Sequence, residues 1–178
     1  MRKLLNKELG RKNIEQYKSA EKSAFFIVLD NVRSHNNVGS IFRTADAFLT
    51  PKIYLCGITA RPPHRDIQKT ALGATESVEW VYYGSTADAI AELKSMGVKI
   101  MAVEQAEGSV ELQDVEIEEG HQYALVFGHE VNGVDQKIVD MSDMCIEIPQ
   151  FGTKHSFNIA VSAGIVLWEL NKPLQKKM

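Results

Sequence analysis

Short runs of apolar residues recur along the chain and are separated by stretches with the spacing of helices. Most of these runs are continuous and do not alternate with polar residues, which is typical of strands buried on both faces of a parallel sheet. A strand–helix–strand order that repeats in this way predicts an α/β fold with a mostly parallel sheet. The predicted strands cover residues 25–30, 52–57, 78–83, 99–105, 123–128 and 144–149.

Two helices between these strands are marked by the residues at their ends. The stretch 86–96 follows Ser85, which suits an N-cap, and stops at Gly97. The stretch 38–48 follows Asn36 and Asn37, which are also good N-cap residues. We therefore expect a helix in each stretch, packed on the sheet.

The length of the chain, 178 residues, is enough for one domain with a substantial core. We expect a basic, helical N-terminal segment at 1–22, the main domain at 23–172 and a basic tail at 173–178. No apolar run reaches the roughly 18 residues that a membrane span needs, and the N-terminus lacks the apolar stretch of a signal peptide, so a cytoplasmic protein is expected. Cys56 and Cys145 lie in apolar runs and are expected to be buried, reduced thiols.

The charges are segregated along the sequence. The formal net charge is −3, which disfavours nucleic-acid binding through bulk charge. Basic residues nevertheless gather in the N-terminal segment, in a predicted loop after the second strand and at the tail. A face that meets phosphates and ordinary solvated charge explain this pattern equally well. The basic residues are Arg2, Lys3, Lys7, Arg11, Lys12, Lys18, Arg61, His64, Arg65, Lys69, Lys176 and Lys177.

The stretch 157–170 has the composition of a helix that is apolar on nearly every side. Its one charged residue is Glu169. Such a helix must be covered almost all round, so it is either central or packs against a second subunit. Small residues, among them Ala163 and Gly164, would allow the backbone of another helix to approach closely.

Several common catalytic and metal sites have no counterpart in the sequence. There is no G-x-G-x-x-G after a strand and no G-x-S-x-G elbow, and His129-Glu130 lacks the second histidine of H-E-x-x-H. The five histidines show no metal-ligand spacing, so no metal site is expected.

Two polar segments follow predicted strands and point to a site. Residues 30–45 form an asparagine-rich turn that leads into a helix carrying Arg43. Residues 126–133 hold Glu130 between two glycines at the carboxyl end of a strand, where open α/β sheets usually place ligands. Taken singly, each is explained better by a helix cap with a surface arginine or by an ordinary turn.

A third polar segment, residues 146–160, joins the last strand to the hydrophobic helix. Pro149 ends the strand, because proline cannot donate to a central ladder. Ser156 and Asn158 then open the helix, whose N-terminus offers free N–H groups. Ser156 acting simply as an N-cap is compatible with a functional role.

Taken together and in this order, the three segments resemble the motifs of the SpoU/TrmH family of RNA ribose methyltransferases. Residues 69–74 also resemble the connector between the first two motifs. The motifs read Asn37-x-Gly39-x-Ile41-x-Arg43-x-Ala45, then Phe127-Gly128-His129-Glu130-x-x-Gly133, then Ile148-Pro149-x-x-Gly152-x-x-x-Ser156-Phe157-Asn158-x-Ala160-x-Ser162.

The resemblance implies a SPOUT-type α/β domain whose C-terminal part, from about Tyr123 to the last helix, is tied in a deep trefoil knot. It also implies a homodimer with the active site near the subunit interface. Phe157 stands where the family usually has leucine, and Gln150 where methionine is frequent. The chain has little room for the additional RNA-binding domain of many relatives, and its basic N-terminal segment is expected to take that place.

The activity implied by the resemblance is transfer of a methyl group from S-adenosylmethionine to a ribose 2′-hydroxyl of tRNA or rRNA. The residues expected to bind the cofactor are Gly128, Ile148, Phe157, Val103 and Glu104. The residues expected at the reacting ribose are Arg43, Asn37, Glu130, Ser156 and Asn158. The residues expected to hold RNA phosphates are Arg2, Lys3, Arg11, Lys12, Arg61 and Arg65.

The role of Arg43 stays open at the level of sequence. The family assigns to it the activation of the ribose hydroxyl, but a guanidinium group holds its proton too firmly to be a good base. It could instead hold a phosphate and stabilise the forming alkoxide. Other functions also remain open: an RNA-binding module without catalysis, a knotted methyltransferase that acts on a base, and an unrelated α/β domain that binds a small molecule. The sequence names neither the RNA nor the nucleotide.

Overall fold

The computed structural model describes residues 1–175 of the chain; the predicted tail residues Lys176 and Lys177 lie outside them. Helices alternate with strands, and two short 3-10 turns lie at Asn6–Glu8 and Leu112–Asp114. The helices are α1 (Ile14–Ser19), α2 (His35–Ala47), α3 (Arg65–Ala71), α4 (Ala74–Ser77), α5 (Thr86–Ser95), α6 (Gln136–Met141) and α7 (Ile159–Gln175). The strands are β1 (Phe25–Asp30), β2 (Lys52–Cys56), β3 (Glu79–Tyr83), β4 (Lys99–Val103), β5 (Val110–Glu111), β6 (Tyr123–Phe127) and β7 (Met144–Glu147).

The strands form one sheet in the order β3-β2-β1-β6-β4-β7-β5. Every pairing between neighbouring strands is parallel. The expected parallel α/β architecture is therefore confirmed. Because all strands run in one direction, their carboxyl ends, and the polar segments that follow β1, β6 and β7, come to the same edge of the sheet.

All six predicted strands are present, and five of them are one or two residues shorter than expected. The sequence analysis missed β5, which has two residues at the far edge of the sheet. A strand this short carries no readable pattern of apolar residues. The central strands β1 and β6 are buried along their whole length, as the continuous apolar runs indicated.

The sheet is covered on both faces, and the side chains of β1 alternate between two cores. Phe25, Ile27 and Leu29 belong to the core under α2 and α7. Phe26 and Val28 belong to the core under α5 and α6. This two-sided burial is what makes the apolar runs continuous.

The first residues of α2 differ from the prediction. The helix begins at His35, and its N-cap is Ser34, whose Oγ accepts a hydrogen bond from the Asn37 amide at 3.3 Å. The expected caps Asn36 and Asn37 lie inside the first turn, so that prediction is wrong. Ser85 precedes α5 as expected, although its side chain makes no capping hydrogen bond.

Two short helices occupy a stretch that the sequence analysis treated as a loop. Arg65 and Lys69 lie on α3, which packs across α2. A Cβ atom added to Gly39 of α2 would lie 2.1 Å from Thr70 Oγ1 and 2.3 Å from the carbonyl oxygen of Ile67. The glycine of the first motif therefore lets α2 and α3 approach each other.

The last helix, α7, begins at Ile159, two residues later than predicted. Asn158, not Ser156, has the capping position, since its Oδ1 accepts hydrogen bonds from the amides of Ala160 (2.9 Å) and Val161 (3.4 Å). Ala163 is fully buried in the chain's own core and is not free to meet a second subunit. The exposed apolar face is elsewhere: Val161 is 50% and Trp168 54% exposed.

The remaining observations concern the N-terminal segment, the two cysteines and membrane-spanning helices. Tyr17 of α1 is buried and donates a hydrogen bond to the Thr50 carbonyl at 3.2 Å, which ties the N-terminal segment to the domain. Cys56 is buried and Cys145 only half-buried, and both are free thiols. Across residues 1–175 we find no helix with the length and apolarity of a membrane span.

Candidate functional site

A cavity of about 520 Å³ lies at the carboxyl edge of the sheet, beyond the ends of β4, β6 and β7. Its wall is built from the segments that follow these three strands and from the start of α7. The five residues predicted to bind a cofactor all line it: Val103, Glu104, Gly128, Ile148 and Phe157. Three of the residues predicted at the reacting ribose line it as well: Glu130, Ser156 and Asn158.

The turn after β6 is shaped by two glycines. A Cβ atom at Gly128 would lie 2.1 Å from the backbone of Gly133, so the two arms of the turn meet closely. Gly133 has a φ of 70°, in the left-handed region that favours glycine. The spacing of glycines in the second motif is thus required by the backbone path of the cavity wall.

Glu104 holds this turn from the neighbouring strand end. Its Oε2 accepts a hydrogen bond from the Val134 amide at 2.9 Å, and its Oε1 accepts one from the Gln105 amide at 2.8 Å. On the other side, Asp30 Oδ2 accepts a hydrogen bond from the Asp135 amide at 3.2 Å. Glu104 therefore fixes the wall of the cavity in addition to lining it.

Glu130 joins the second motif to the first. Its carboxylate accepts hydrogen bonds from the amides of Arg33 (3.0 Å) and Ser34 (2.9 Å) and from the side chain of Asn37 (3.0 Å). Burial alone would raise the pKa of Glu130, but these donors outweigh it and hold the pKa below its ordinary value. Glu130 is therefore a carboxylate at neutral pH.

Asn37 also joins the first motif to the third. Its Oδ1 accepts a hydrogen bond from Asn158 Nδ2 at 3.1 Å. A chain of side chains thus runs from Glu130 through Asn37 to Asn158, and it links segments that are about a hundred residues apart in sequence. Ser156 is exposed at the mouth of the cavity.

Arg43 does not reach this cavity. It lies about two turns into α2, and its side chain is exposed. The six residues from Asn37 to Arg43 correspond to roughly 9 Å of helix. Within one chain, Arg43 therefore lies apart from the cavity that Glu130, Ser156 and Asn158 line.

Arg43 instead lines a groove of about 840 Å³ between the N-terminal segment, α2 and α4. Arg11 and Lys12, two of the predicted phosphate-binding residues, line the same groove. Asp46 and Glu76 add two carboxylates to its wall. The structure therefore brings the basic N-terminal segment to Arg43 but not to the cavity.

The other predicted RNA-binding residues are spread over the surface. Arg2 is paired with Glu8 at 2.8 Å, which reduces its availability to a phosphate, and Lys3 is exposed. The guanidinium of Arg61 lies 4.2 Å from the ring centre of Tyr82, and Arg65 is exposed at the start of α3.

Some residues of the cavity were not predicted. Gln105 donates a hydrogen bond to the His155 carbonyl at 3.1 Å, and this bond ties the segment after β4 to the segment before α7. His129 Nδ1 accepts hydrogen bonds from the amides of Val131 and Asn132 and closes the turn after β6. His129 stood in the second motif, but no sequence signal identified Gln105 beyond its place as the last residue of a predicted strand. No group of three or more potential metal ligands lies together in the described part of the chain.

Comparisons with known proteins agree on one family. The sequence model of the SpoU rRNA Methylase family matches residues 24–168. A 23S rRNA (guanosine-2′-O-)-methyltransferase, RlmB, of Neisseria meningitidis is 32% identical over 151 residues, which are 82% of this chain and 57% of that protein. A tRNA (guanosine(18)-2′-O)-methyltransferase of Escherichia coli is 27% identical over 149 residues, which are 84% of this chain and 63% of that protein.

A solved structure gives the same result. The AdoMet-bound rRNA methyltransferase from Sinorhizobium meliloti superimposes with a TM-score of 0.80 and 28% identity over 86% of this chain and 58% of that one. The chain thus spans roughly three fifths of the length of these relatives.

Proposed function

The chain belongs to the SpoU rRNA Methylase family, and from this premise we propose that it transfers a methyl group from S-adenosylmethionine to a ribose 2′-hydroxyl of tRNA or rRNA. The observation that carries the proposal is the convergence of three motifs on one cavity through Glu130, Asn37 and Asn158. The two relatives named above are 2′-O-methyltransferases of rRNA and tRNA, and a structural neighbour is described with AdoMet bound.

The residues of the cavity suit this cofactor. The volume, about 520 Å³, is within the range of small-molecule sites. Ile148, Phe157 and Val103 provide apolar surface for a flat ring, and Gly128 and Gly133 line the same cavity. When bound, S-adenosylmethionine supplies an electrophilic methyl group, and the protein supplies position and electrostatics.

The acceptor ribose would lie at the side of the cavity where Glu130, Asn37, Ser156 and Asn158 meet. Glu130 is occupied by the donors of the segment after β1, so its part is to position Asn37 and that segment. Ser156 and Asn158 at the mouth would contact the ribose. None of the described residues that line the cavity is a lysine or an arginine, so a permanent cation to stabilise an alkoxide is not supplied by the same chain.

That cation would come from a second copy. The exposed apolar face of α7, with Val161 and Trp168, lies on the helix that packs beside α2, and a homodimer formed there would complete each cavity with the Arg43 of the other chain. Mixing Arg43→Ala chains with Phe157→Lys chains tests this arrangement. Methyl transfer by the mixture supports it, because a mixed dimer then has one site with an intact cavity from the Arg43→Ala chain and an Arg43 from the Phe157→Lys chain. An inactive mixture would mean that Arg43 serves the cavity of its own chain.

We also propose that the stretch from about Tyr123 to α7 forms a deep trefoil knot. Its support is that the segments after β6 and after β7 line the same cavity, while β4 lies between these strands in the sheet. Pulling the chain from both ends tests the knot. A knotted chain would stop short of the contour length of about 3.6 Å per residue, and a chain that reaches that length is unknotted.

Binding of the cofactor tests the proposed activity at its first step. We expect calorimetry to show that S-adenosylmethionine binds, and that Phe157→Ala weakens binding about 5- to 100-fold through lost apolar contact. Phe151→Ala is the matched control, because Phe151 lies on the same segment, is 98% exposed and does not line the cavity. An absence of binding would contradict the proposed activity, and binding without methyl transfer would favour the RNA-binding module.

A further inference from the structure

The carboxyl edge of the sheet has two halves. The cavity occupies the half beyond β4, β6 and β7. The half beyond β1, β2 and β3 carries a surface that we call the stacking ledge, composed of His35, His64, Arg61 and Tyr82. The function proposed above makes no use of these side chains as rings.

The first part of the ledge is a pair of histidines. The rings of His35 and His64 have centres 3.8 Å apart and planes inclined by 30°. His64 is the more exposed of the two, and its Nδ1 accepts a hydrogen bond from the Asp66 amide at the start of α3. The His64 ring is thus held in place by its cap position, and it is the ring of the pair that is exposed to solvent.

The second part of the ledge is a cation on an aromatic ring. The Arg61 guanidinium lies 4.2 Å from the centre of the Tyr82 ring. Tyr82 is 37% exposed and donates a hydrogen bond from its hydroxyl to the Gly57 carbonyl at 3.0 Å, which fixes the ring. Planar guanidinium and aromatic groups of this kind accept nucleobases by stacking.

The charge around the ledge is positive. Arg33, Arg65 and Lys69 are exposed near it, and none forms an ion pair with another described residue. Asp66 is the acidic residue among them. Exposed planar side chains set among cations that form no ion pair match single-stranded nucleic acid, whose bases stack and whose phosphates need positive charge.

The ledge is continuous with the proposed active site. The amide of Ser34 donates to Glu130, and His35 is the next residue along the chain. A nucleotide stacked on the histidine pair would therefore be close to a ribose held at Glu130 and Asn37.

We propose that the stacking ledge binds unpaired nucleotides of the RNA substrate next to the ribose that is methylated. The proposal rests on the proposed function and adds the class of substrate: a single-stranded segment or loop, because a duplex keeps its bases stacked on one another and cannot place them on protein rings. Duplex RNA would contact only the cationic side chains around the ledge and not its rings.

Binding of two RNA probes tests the ledge. The probes are an unstructured 12-nucleotide RNA and the same strand in a duplex, compared by fluorescence anisotropy at pH 8 to keep histidine charge out of the comparison. His64→Asn removes a ring and keeps a residue suited to the N-cap, and Arg61→Lys keeps the charge and removes the planar group. The control is His121→Asn, an exposed histidine before β6, at the opposite edge of the sheet.

The wild-type protein should bind the single strand more tightly than the duplex. Each ledge variant should bind the single strand about 5- to 150-fold more weakly, with the dependence on salt and the duplex affinity unchanged, and His121→Asn should behave as wild type. Equal affinity for both probes, or ledge variants that match the control, would overturn the ledge. Methyl transfer measured in parallel distinguishes the two proposals. If the wild type and the ledge variants transfer methyl groups equally well, only the ledge proposal is wrong. If the wild type binds S-adenosylmethionine but transfers no methyl group, the proposed function is wrong.

Discussion

Glu130 accepts hydrogen bonds from three donors of the segment after β1, and this number of donors holds its pKa low. Glu130→Gln should lower the melting temperature, because the side-chain nitrogen of glutamine is itself a donor and would face one of these three donors. The pKa is lower in the folded state, so the stabilisation is present above the unfolded value of about 4.3 and is lost as pH falls through the folded value. The difference in melting temperature between the two proteins should therefore shrink between pH 5 and pH 3.

The control for this experiment is Glu116→Gln, which alters an exposed carboxylate outside this segment. It should leave the melting temperature nearly unchanged across the same range. A difference for Glu130→Gln that is as large at pH 3 as at pH 7 would show that the carboxylate charge does not hold this segment.

Arg43 is exposed on α2, so Arg43→Ala should fold and should retain its affinity for S-adenosylmethionine. Methyl transfer should fall by about 10²- to 10⁴-fold, the usual range for losing a proton-transfer or oxyanion group.

The Arg43→Lys variant separates two roles in single-turnover assays. A cationic clamp predicts partial activity that is flat with pH, and a base predicts a rate that rises toward the ordinary lysine pKa of about 10. Full activity of Arg43→Ala would leave Arg43 a surface residue.

The family resemblance supplied the expected cofactor residues, and the parallel sheet explains why they come together. Val103, Gly128 and Ile148 lie at the carboxyl ends of neighbouring strands, so they line one cavity. The position of Arg43 relative to the cavity could not be predicted from the sequence. Its distance from the start of α2 depends on where the helix begins, and the cap at Ser34 rather than Asn36 shifts that start.

The crossing of α2 and α3 depends on a single glycine. Gly39→Ala would place a Cβ atom 2.3 Å from the carbonyl oxygen of Ile67, a backbone atom that cannot turn away. We expect the free energy of unfolding to fall by about 1–3 kcal/mol, as for other overpacked sites. Urea unfolding measures this change.

Gly84→Ala is the control for the crossing, since a Cβ there meets no atom within 4 Å and the φ of Gly84 is not positive. Its stability should stay close to that of the wild type. A Gly39→Ala protein as stable as the control would mean that the two helices separate easily.

Helices were harder to predict than strands for a physical reason. Strands β1 and β6 are buried on both faces and therefore keep continuous apolar runs. By contrast, α3 buries only Ile67 and Ala71, follows two prolines and carries polar residues elsewhere, so its sequence looks like a loop.

The exposed apolar face of α7 is the surface through which we expect the molecule to dimerise. Trp168→Glu should give a monomer in sedimentation at micromolar concentration, where the wild type should be a dimer, because an unpaired charge is costly in an interface. Met96→Glu is the control, since Met96 is 52% exposed, similar to Trp168 at 54%, and lies after α5. A monomeric wild-type protein would contradict the shared site. The dimer stays a prediction, as do the boundaries at residues 22 and 172 and the cytoplasmic location.

The most direct test of the proposed function is the identity of the methylated product. Total tRNA and rRNA from a strain that lacks the gene would be incubated with the protein and methyl-labelled S-adenosylmethionine, digested to nucleosides and analysed by mass spectrometry. We expect label in a 2′-O-methylnucleoside, at a site that is unmethylated in the deletion strain. Label in a base, or no label with a protein that binds the cofactor, would contradict it.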